Sequence, residues 1–274
     1  MKNFIKEFIP YWLGVKIRGN YQRLQAFVYR GNKYVCPLCG KSFRKMLTGG
    51  IENEIFKKYH IIGGGRRPNS VCPRCYSTDR DRLVFIYLRD FTDVFKKNYQ
   101  ILHIAPEGSL RAYFMHKTSV SYTSGFKDAQ AYKGYYYDQL KQHIDITATD
   151  FSDNKFDVVI CNHVLEHIED DLKAMREIFR IMKPGGFGIL QVPFSPDLEK
   201  SIEGLPAPTP AERLRLYGQE DHVRIYGVDY FDRLKSVGFE VNKFMLYHSD
   251  SEKYKNYAIN PEEPIIVVKK SKLG

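Results

Sequence analysis

No run of apolar residues in this 274-residue chain is long enough to cross a bilayer as a helix. The N-terminal stretch MKNFIKEFIPYWLGVKIRG also lacks the makings of a signal peptide: Glu7 and Pro10 interrupt its apolar residues, and no small-residue cleavage site follows. A cytoplasmic protein is therefore expected. The same stretch suits an amphipathic helix that covers the protein's own body or, over residues 1–15, touches a membrane surface. A long basic block is missing too. Basic residues outnumber acidic ones by 42 to 32, but they are spread along the chain, which favours anionic partners without marking a nucleic-acid face. Glycine is scarce at one informative place. HIAPEGSL, His103 to Leu110, reads as a buried strand turning into a helix, and it holds Gly108 as its one glycine. Turns that receive a nucleotide cofactor usually carry several, because glycine lets the backbone close in on the ligand. Apolar material is plentiful: at 43% hydrophobic and 14% aromatic, the chain can bury a full core, enough for one large domain plus a small module.

Cysteine is also sparse, with five residues, yet four of them form two Cys-x-x-Cys pairs, Cys36/Cys39 and Cys72/Cys75. Each pair can present two thiolates to one ion, and two pairs complete the tetrahedral sulfur shell that zinc prefers. Four cysteine ligands leave no open position, so such a zinc is structural. Nothing in the chain suggests secretion, which argues against disulfides. Between the pairs, GGGRRP (Gly63 to Pro68) is either a basic finger that touches a phosphate or a solvated loop tip. Cys161 ends the apolar run FDVVIC and reads as a core residue. The expected organisation is a helical segment over 1–31, a zinc ribbon over 32–77 and a larger domain over 78–274.

After the second pair, STDRDRLVFIYLRDFTDVF opens with the capping candidates Ser77, Thr78 and Asp79 and continues with helical apolar periodicity. Short apolar runs then alternate with helical periods: YQILHIA, SVSYTS, HIDITA, FDVVIC and FGILQV read as strands, with helices near 108–117, 168–182 and 228–237. This alternation predicts a parallel sheet covered on both faces. FEVNKFMLYH and EEPIIVVKK follow as two strands without a helix between them, so the sheet is expected to end in an antiparallel pair.

The segment from Asp145 to Ser195 holds a strand ending at Cys161, the loop NHVLEHIED, a helix with one apolar face, and Lys183-Pro184-Gly185-Gly186 as its stop. Residues 155–193 resemble, almost position for position, class I S-adenosylmethionine-dependent methyltransferases of the type 11 group. The likeness in layout extends over roughly 100–274. CPLCG, CPRC and GQEDHVRIYG also resemble a bacterial branch of these enzymes that carries an N-terminal zinc ribbon.

The resemblance implies a doubly wound, Rossmann-like α/β domain with a seven-stranded sheet, and S-adenosylmethionine held across the carboxyl ends of its strands. It implies cofactor contacts from His103, Ala105, Glu107 and Gly108 in the first turn, from Asp145 and Ile146 on the adenine side, and from Asn162 and His163 after the fourth strand. Ala105, Glu107 and Ser109 stand where the family has glycines, and no acid ends the second strand. Asp128, two residues late, or Glu107 from the neighbouring turn would then take the ribose. The polar cluster Gln219, Asp221, His222, Arg224 and Tyr226 suggests acceptor contact, with His222 as candidate base alongside His163 and Arg224 as anion clamp; the same residues could instead hold their loop together.

The leading expectation is an S-adenosylmethionine-dependent methyltransferase with a structural zinc, acting on a small molecule such as a saccharide or a lipid-linked intermediate. One alternative is an RNA methyltransferase whose ribbon, through Arg66 and Arg67, grips nucleic acid. Another is a non-catalytic, zinc-binding relative.

Overall fold

The computed structural model describes residues 11–116, 120–127, 142–206 and 209–272. Helix α1 (Tyr11–Val28) leads into β1 (Arg30–Val35), β2 (Ser42–Phe43), β3 (Leu47–Gly49), the short α2 (Glu54–Lys58) and β4 (Arg67–Val71). β1 pairs antiparallel with β2, and β3 with β4. These two small ladders share a minimal core, in which Phe43 and Met46 pack with Cys36 and Cys72. So few apolar side chains cannot hold such a segment by burial alone.

The remainder runs α3 (Asp79–Phe91), β5 (Tyr99–Ile104), α4 (Gly108–Met115), β6 (Val120–Gly125), β7 (Phe156–Asn162), α5 (Asp171–Ile181), β8 (Met182–Gln191), β9 (Ile202–Glu203), α6 (Pro210–Tyr217), β10 (Arg224–Ile225), α7 (Asp229–Ser236), β11 (Glu240–Phe244), α8 (Leu246–Ser249), α9 (Ser251–Tyr254) and β12 (Ile265–Lys269). The main sheet has the order β11-β12-β8-β7-β5-β6. β8, β7, β5 and β6 are parallel neighbours, whereas β12 runs antiparallel to β8 and β11 antiparallel to β12.

Both faces of this sheet are covered, as the alternation of patterns predicts. One face packs on Met175 and Ile178 of α5 and Leu234 of α7; the other packs on Leu83 and Ile86 of α3 and Leu110 and Phe114 of α4. α3 begins where the capping residues suggest: Thr78 accepts from the Asp81 amide, and Asp81 caps back onto Thr78. α5 ends at Ile181, one residue before the expected limit, and the chain passes directly into β8 through the extended Met182. Lys183-Pro184-Gly185-Gly186 thus lies in the irregular start of that strand, where Gly185 takes the left-handed φ of +78°, and does not itself stop the helix.

Two further expectations need correction. The main sheet has six strands among the described residues, not seven. HIDITA contributes a single parallel bridge, Phe126 to His143, because its apolar residues Ile144 and Ile146 are drawn into the core instead of extending a ladder. The connection from β11 to β12 is not bare either: α8 and α9 occupy it, anchored by the buried Leu246 and Tyr254.

The ribbon is tied to the larger domain by Arg82, which is fully buried. Its guanidinium donates to the carbonyls of Ser70 (3.1 Å) and Ser77 (2.8 Å) on the ribbon side and of Tyr257 (2.8 Å) and Ala258 (2.5 Å) near the C-terminus. One buried side chain thus joins four carbonyls from three segments.

Candidate active site

A cleft of about 1480 Å³ opens at the carboxyl ends of the parallel strands. That is where an open α/β sheet offers backbone groups unclaimed by neighbouring strands. Typical small-molecule pockets occupy about 300–1,000 Å³, so this one has room for two ligands side by side. Its floor comes from the turns after β5 (Ala105, Glu107, Gly108), β6 (Phe126, Lys127) and β7 (Asn162, His163), with Asp145 and Ile146 beside them. Its roof comes from Tyr76, at the end of the ribbon, and from Arg80 and Asp81 in the first turn of α3.

In the glycine-poor turn, Ala105 adopts φ +45°, the left-handed conformation that glycine would supply, and its amide donates to the Gly125 carbonyl at 2.9 Å. His163, which follows β7, is likewise left-handed at φ +53°, with its amide bonded to the Gln191 carbonyl at 2.8 Å. Strained non-glycine residues thus sit at two adjacent strand ends that face the cleft, and strain of this kind gathers at functional sites.

Glu107 is the best-organised group there. The fully buried His103 lies behind it, with Nε2 2.9 Å from Glu107 Oε2 and Nδ1 2.9 Å from the Tyr122 hydroxyl. An ionised carboxylate only accepts, so His103 Nε2 donates to Glu107 and its Nδ1 accepts from the Tyr122 hydroxyl. Burial pushes the Glu107 carboxyl up, but hydrogen bonds, first that from His103 and then one from the backbone, outweigh it and leave the group below its usual range. The Asn162 amide is near enough to help, yet both of its polar atoms are buried and make no hydrogen bond of good geometry. Asp81 behaves in the opposite way: burial and the Glu107 charge push it up to about 6, although Ser109 donates to it at 2.6 Å. Asp145 is held down to about 2 despite burial, by Lys127 at 2.7 Å and by the amide and hydroxyl of Thr147.

Of the residues expected to touch the cofactor, Ala105, Glu107, Gly108, Asp145, Ile146, Asn162 and His163 all line this cleft. His103 does not; it positions Glu107 from below. Asp128 and the tyrosine-rich run from Tyr132 to Asp138 lie outside the described residues. Of the acceptor-side cluster, Asp221 lines the cleft, while His222 is 2% exposed behind His167, its ring centroid 4.8 Å away. Arg224 is buried and spends its donors on Glu203 (2.8 Å) and on the carbonyls of Leu165 (3.0 Å), Ile168 and Glu169 (2.8 Å). Tyr226 donates to Asp171 at 2.7 Å, and Gln219 is half-buried away from the cleft lining. Arg224 and Tyr226 therefore hold the LEHIED loop in place, which corrects the expectation of an anion clamp. Nothing in the residue types or spacing of Arg80 and Asp81 marks them as cleft residues. Their signal is the position of α3 directly after a cysteine knuckle.

The four cysteines meet as their spacing suggests. Cys36 Sγ lies 3.6 Å from Cys75 Sγ, and Cys39 Sγ 3.8 Å from Cys72 Sγ. Sulfurs about 2.3 Å from a tetrahedral zinc would be about 3.8 Å apart, whereas a disulfide needs about 2.05 Å. The knuckles close through left-handed Gly40 (φ +67°) and Tyr76 (φ +58°), whose amides bond back to the Cys36 (2.8 Å) and Cys72 (3.0 Å) carbonyls. This arrangement fits a tetrahedral ion.

A family model for a methyltransferase domain matches residues 109–190. The matched methyltransferase segment runs from the start of α4 almost to the end of β8, so it includes Asp145, Asn162, His163 and the LEHIED loop. Solved structures similar to the chain include a SAM-dependent methyltransferase from Archaeoglobus fulgidus, 14% identical over 72% of this chain and 96% of that one, with a TM-score of 0.45. An S-adenosylmethionine-dependent methyltransferase from Mesorhizobium loti is 12% identical over 66% and 93% of the two chains, with a TM-score of 0.44. Haemonchus contortus phosphoethanolamine N-methyltransferase 2, solved with S-adenosyl-L-methionine, is 16% identical over 70% and 53%, with a TM-score of 0.40. No curated protein matches the chain.

Proposed function

We propose that the cleft binds S-adenosylmethionine and that the protein transfers its methyl group to a small-molecule acceptor, a saccharide or a lipid-linked intermediate. The observation that carries this reading is Glu107: a carboxylate held ionised by His103 at the end of the first parallel strand, facing the unbonded amide of Asn162 within the segment matched by the methyltransferase family. When bound, the cofactor supplies a methyl carbon on a positively charged sulfur, which an acceptor lone pair displaces in line. In this reading Glu107 takes the ribose hydroxyls that an acid on the second strand would otherwise hold. Asp145 and Ile146 flank the adenine, and Ala105 brings the backbone close without a glycine. His163, driven down to about 4 by burial and by Arg80, stays neutral at neutral pH, with the Arg80 guanidinium 2.9 Å from its ring.

The ribbon over 32–77 serves, with a structural zinc on Cys36, Cys39, Cys72 and Cys75, as a rigid roof that brings Tyr76 to the cleft of the 78–274 domain, beside Arg80 and Asp81 of α3. A lipid-linked acceptor is supported by α1, where Ile17 (52%), Tyr21 (55%), Leu24 (59%) and Val28 (51%) are exposed at helical spacing beside Lys16 and Arg18. Such a face suits an anionic membrane surface. The RNA reading finds less support. Arg67 of the GGGRRP finger is turned inward onto Asp79 at 2.7 Å, and Arg66 pairs with Glu52 at 3.2 Å.

Calorimetry with S-adenosylmethionine tests the reading. Saturable binding that weakens in Asp145→Ala is expected, whereas no binding at millimolar cofactor would overturn it.

A further inference from the structure

Glu166, His167 and His222 bring a carboxylate oxygen and two imidazole nitrogens within 4.8 Å of one another beside the cleft. The first two lie on the 3₁₀ turn Leu165–His167 after β7, and the third lies in the loop between α6 and β10, so only the fold assembles them. Glu166 is 1% exposed, and its neighbours at ion-pair distance are imidazole rings: His163 Nδ1 at 3.3 Å and His167 Nε2 at 3.9 Å. Its Oε2 makes no hydrogen bond, and neither does Nε2 of the buried His222. A carboxylate so far from water, with one oxygen unbonded, calls for a cation. The rings are already oriented for one. His167 Nδ1 faces the Asp221 carbonyl oxygen at 3.1 Å and its carboxylate at 3.4 Å, which places the proton on Nδ1 and leaves the Nε2 lone pair free. The His222 ring is hydrogen-bonded to the Tyr217 backbone, which leaves its Nε2 as the unpartnered atom.

We propose that Glu166, His167 and His222 bind a divalent cation at the acceptor side of the cleft. Two imidazoles and one carboxylate suit zinc or manganese. Ligand atoms around one such ion lie about 3–4 Å apart, a spacing that small side-chain rotations reach from here. Three protein ligands leave coordination positions open, and because His167 and Asp221 line the cleft, those positions face it. Resting on the methyltransferase reading, the ligand class follows: an acceptor that coordinates through adjacent hydroxyl oxygens, as a saccharide diol does, with its hydroxyl made more acidic by the ion.

The test is a titration of Zn²⁺ and, separately, Mn²⁺ into the full chain after its ribbon has been filled with one zinc, in the absence of S-adenosylmethionine. One further equivalent of at least one ion is expected to bind. Glu166→Gln and His222→Ala should each weaken it by at least about tenfold, and Asp221→Asn, which acts through His167, by about tenfold. Should a core variant fail to melt cooperatively, the more exposed His167→Asn replaces it. The proposal is overturned if neither ion binds the native protein below about 1 mM, or if the folded variants bind as it does. Because the cofactor is left out, failure here leaves the S-adenosylmethionine reading intact, and failure of cofactor calorimetry leaves the metal site standing.

Discussion

Glu107→Gln isolates the group on which the cofactor assignment rests. In the native protein His103 occupies one lone pair of Oε2 at 2.9 Å, which leaves Oε1 and the second Oε2 lone pair for two ribose hydroxyls. Glutamine has a single acceptor oxygen. If that oxygen keeps the His103 bond, the amide NH₂ turns to the cleft, and at least one charge-assisted acceptor bond is lost. Hydrogen bonds to charged groups are worth about 1.5–3 kcal/mol, so the dissociation constant for S-adenosylmethionine should rise by about 10- to 150-fold. Calorimetry at pH 7.5 measures this, with a melting curve showing that the variant stays folded. Because Glu107 is held below its usual carboxylate range, it is ionised throughout pH 6–8. The gap between the two proteins should then be flat over that window and narrow only in acid. A variant that binds within threefold of the native protein would remove Glu107 from the ribose while leaving cofactor binding itself in place.

Three further outcomes follow from the same geometry. Ala105→Gly relieves a left-handed alanine, at roughly 1 kcal/mol, against the similar entropic cost of a more flexible unfolded chain; cofactor affinity should be kept and stability changed by less than about 1 kcal/mol, and a marked fall in melting temperature would contradict the strain. Arg67→Ala strands the buried Asp79 that it holds at 2.7 and 3.1 Å, which should cost about 3–5 kcal/mol in denaturant titration, whereas the exposed Arg66→Ala should cost less than about 1 kcal/mol; equal effects would refute the inward role of Arg67. Glu263 is buried with neither oxygen bonded, and burial together with the Asp79 charge pushes it up to about 7. The folded protein keeps a proton that the unfolded chain loses, so stability should fall as pH rises from about 4.5 through about 7, by on the order of 3 kcal/mol. Glu263→Gln should remove most of that slope, and an unchanged slope would place the titration elsewhere.

The sequence by itself determined the elements whose signals are local. Thr78 starts α3, the apolar stripe of α5 marks that helix, and the runs YQILHIA, FDVVIC and FGILQV are strands because each is apolar enough to be buried on both faces. Cysteine spacing likewise named the four sulfurs, since two Cys-x-x-Cys turns have little else to do in a segment with so small a core. Tertiary structure decided what depends on burial and on partners distant in sequence. HIDITA has strand-like alternation, but the core takes its isoleucines before a ladder can form. Arg224 reads as an anion clamp until four acceptors from surrounding segments are seen to consume its donors. His222 looks like a free base until it is found buried against His167 and Glu166. The feature that organises the cleft shows the division most clearly. HIAPEGSL names Glu107 and shows the missing glycines, whereas only the fold places His103 beneath that carboxylate, turns Ala105 left-handed and aims an unbonded asparagine across from them. Local propensity is written in neighbouring residues, while charge, protonation and coordination are set by whatever the fold packs alongside.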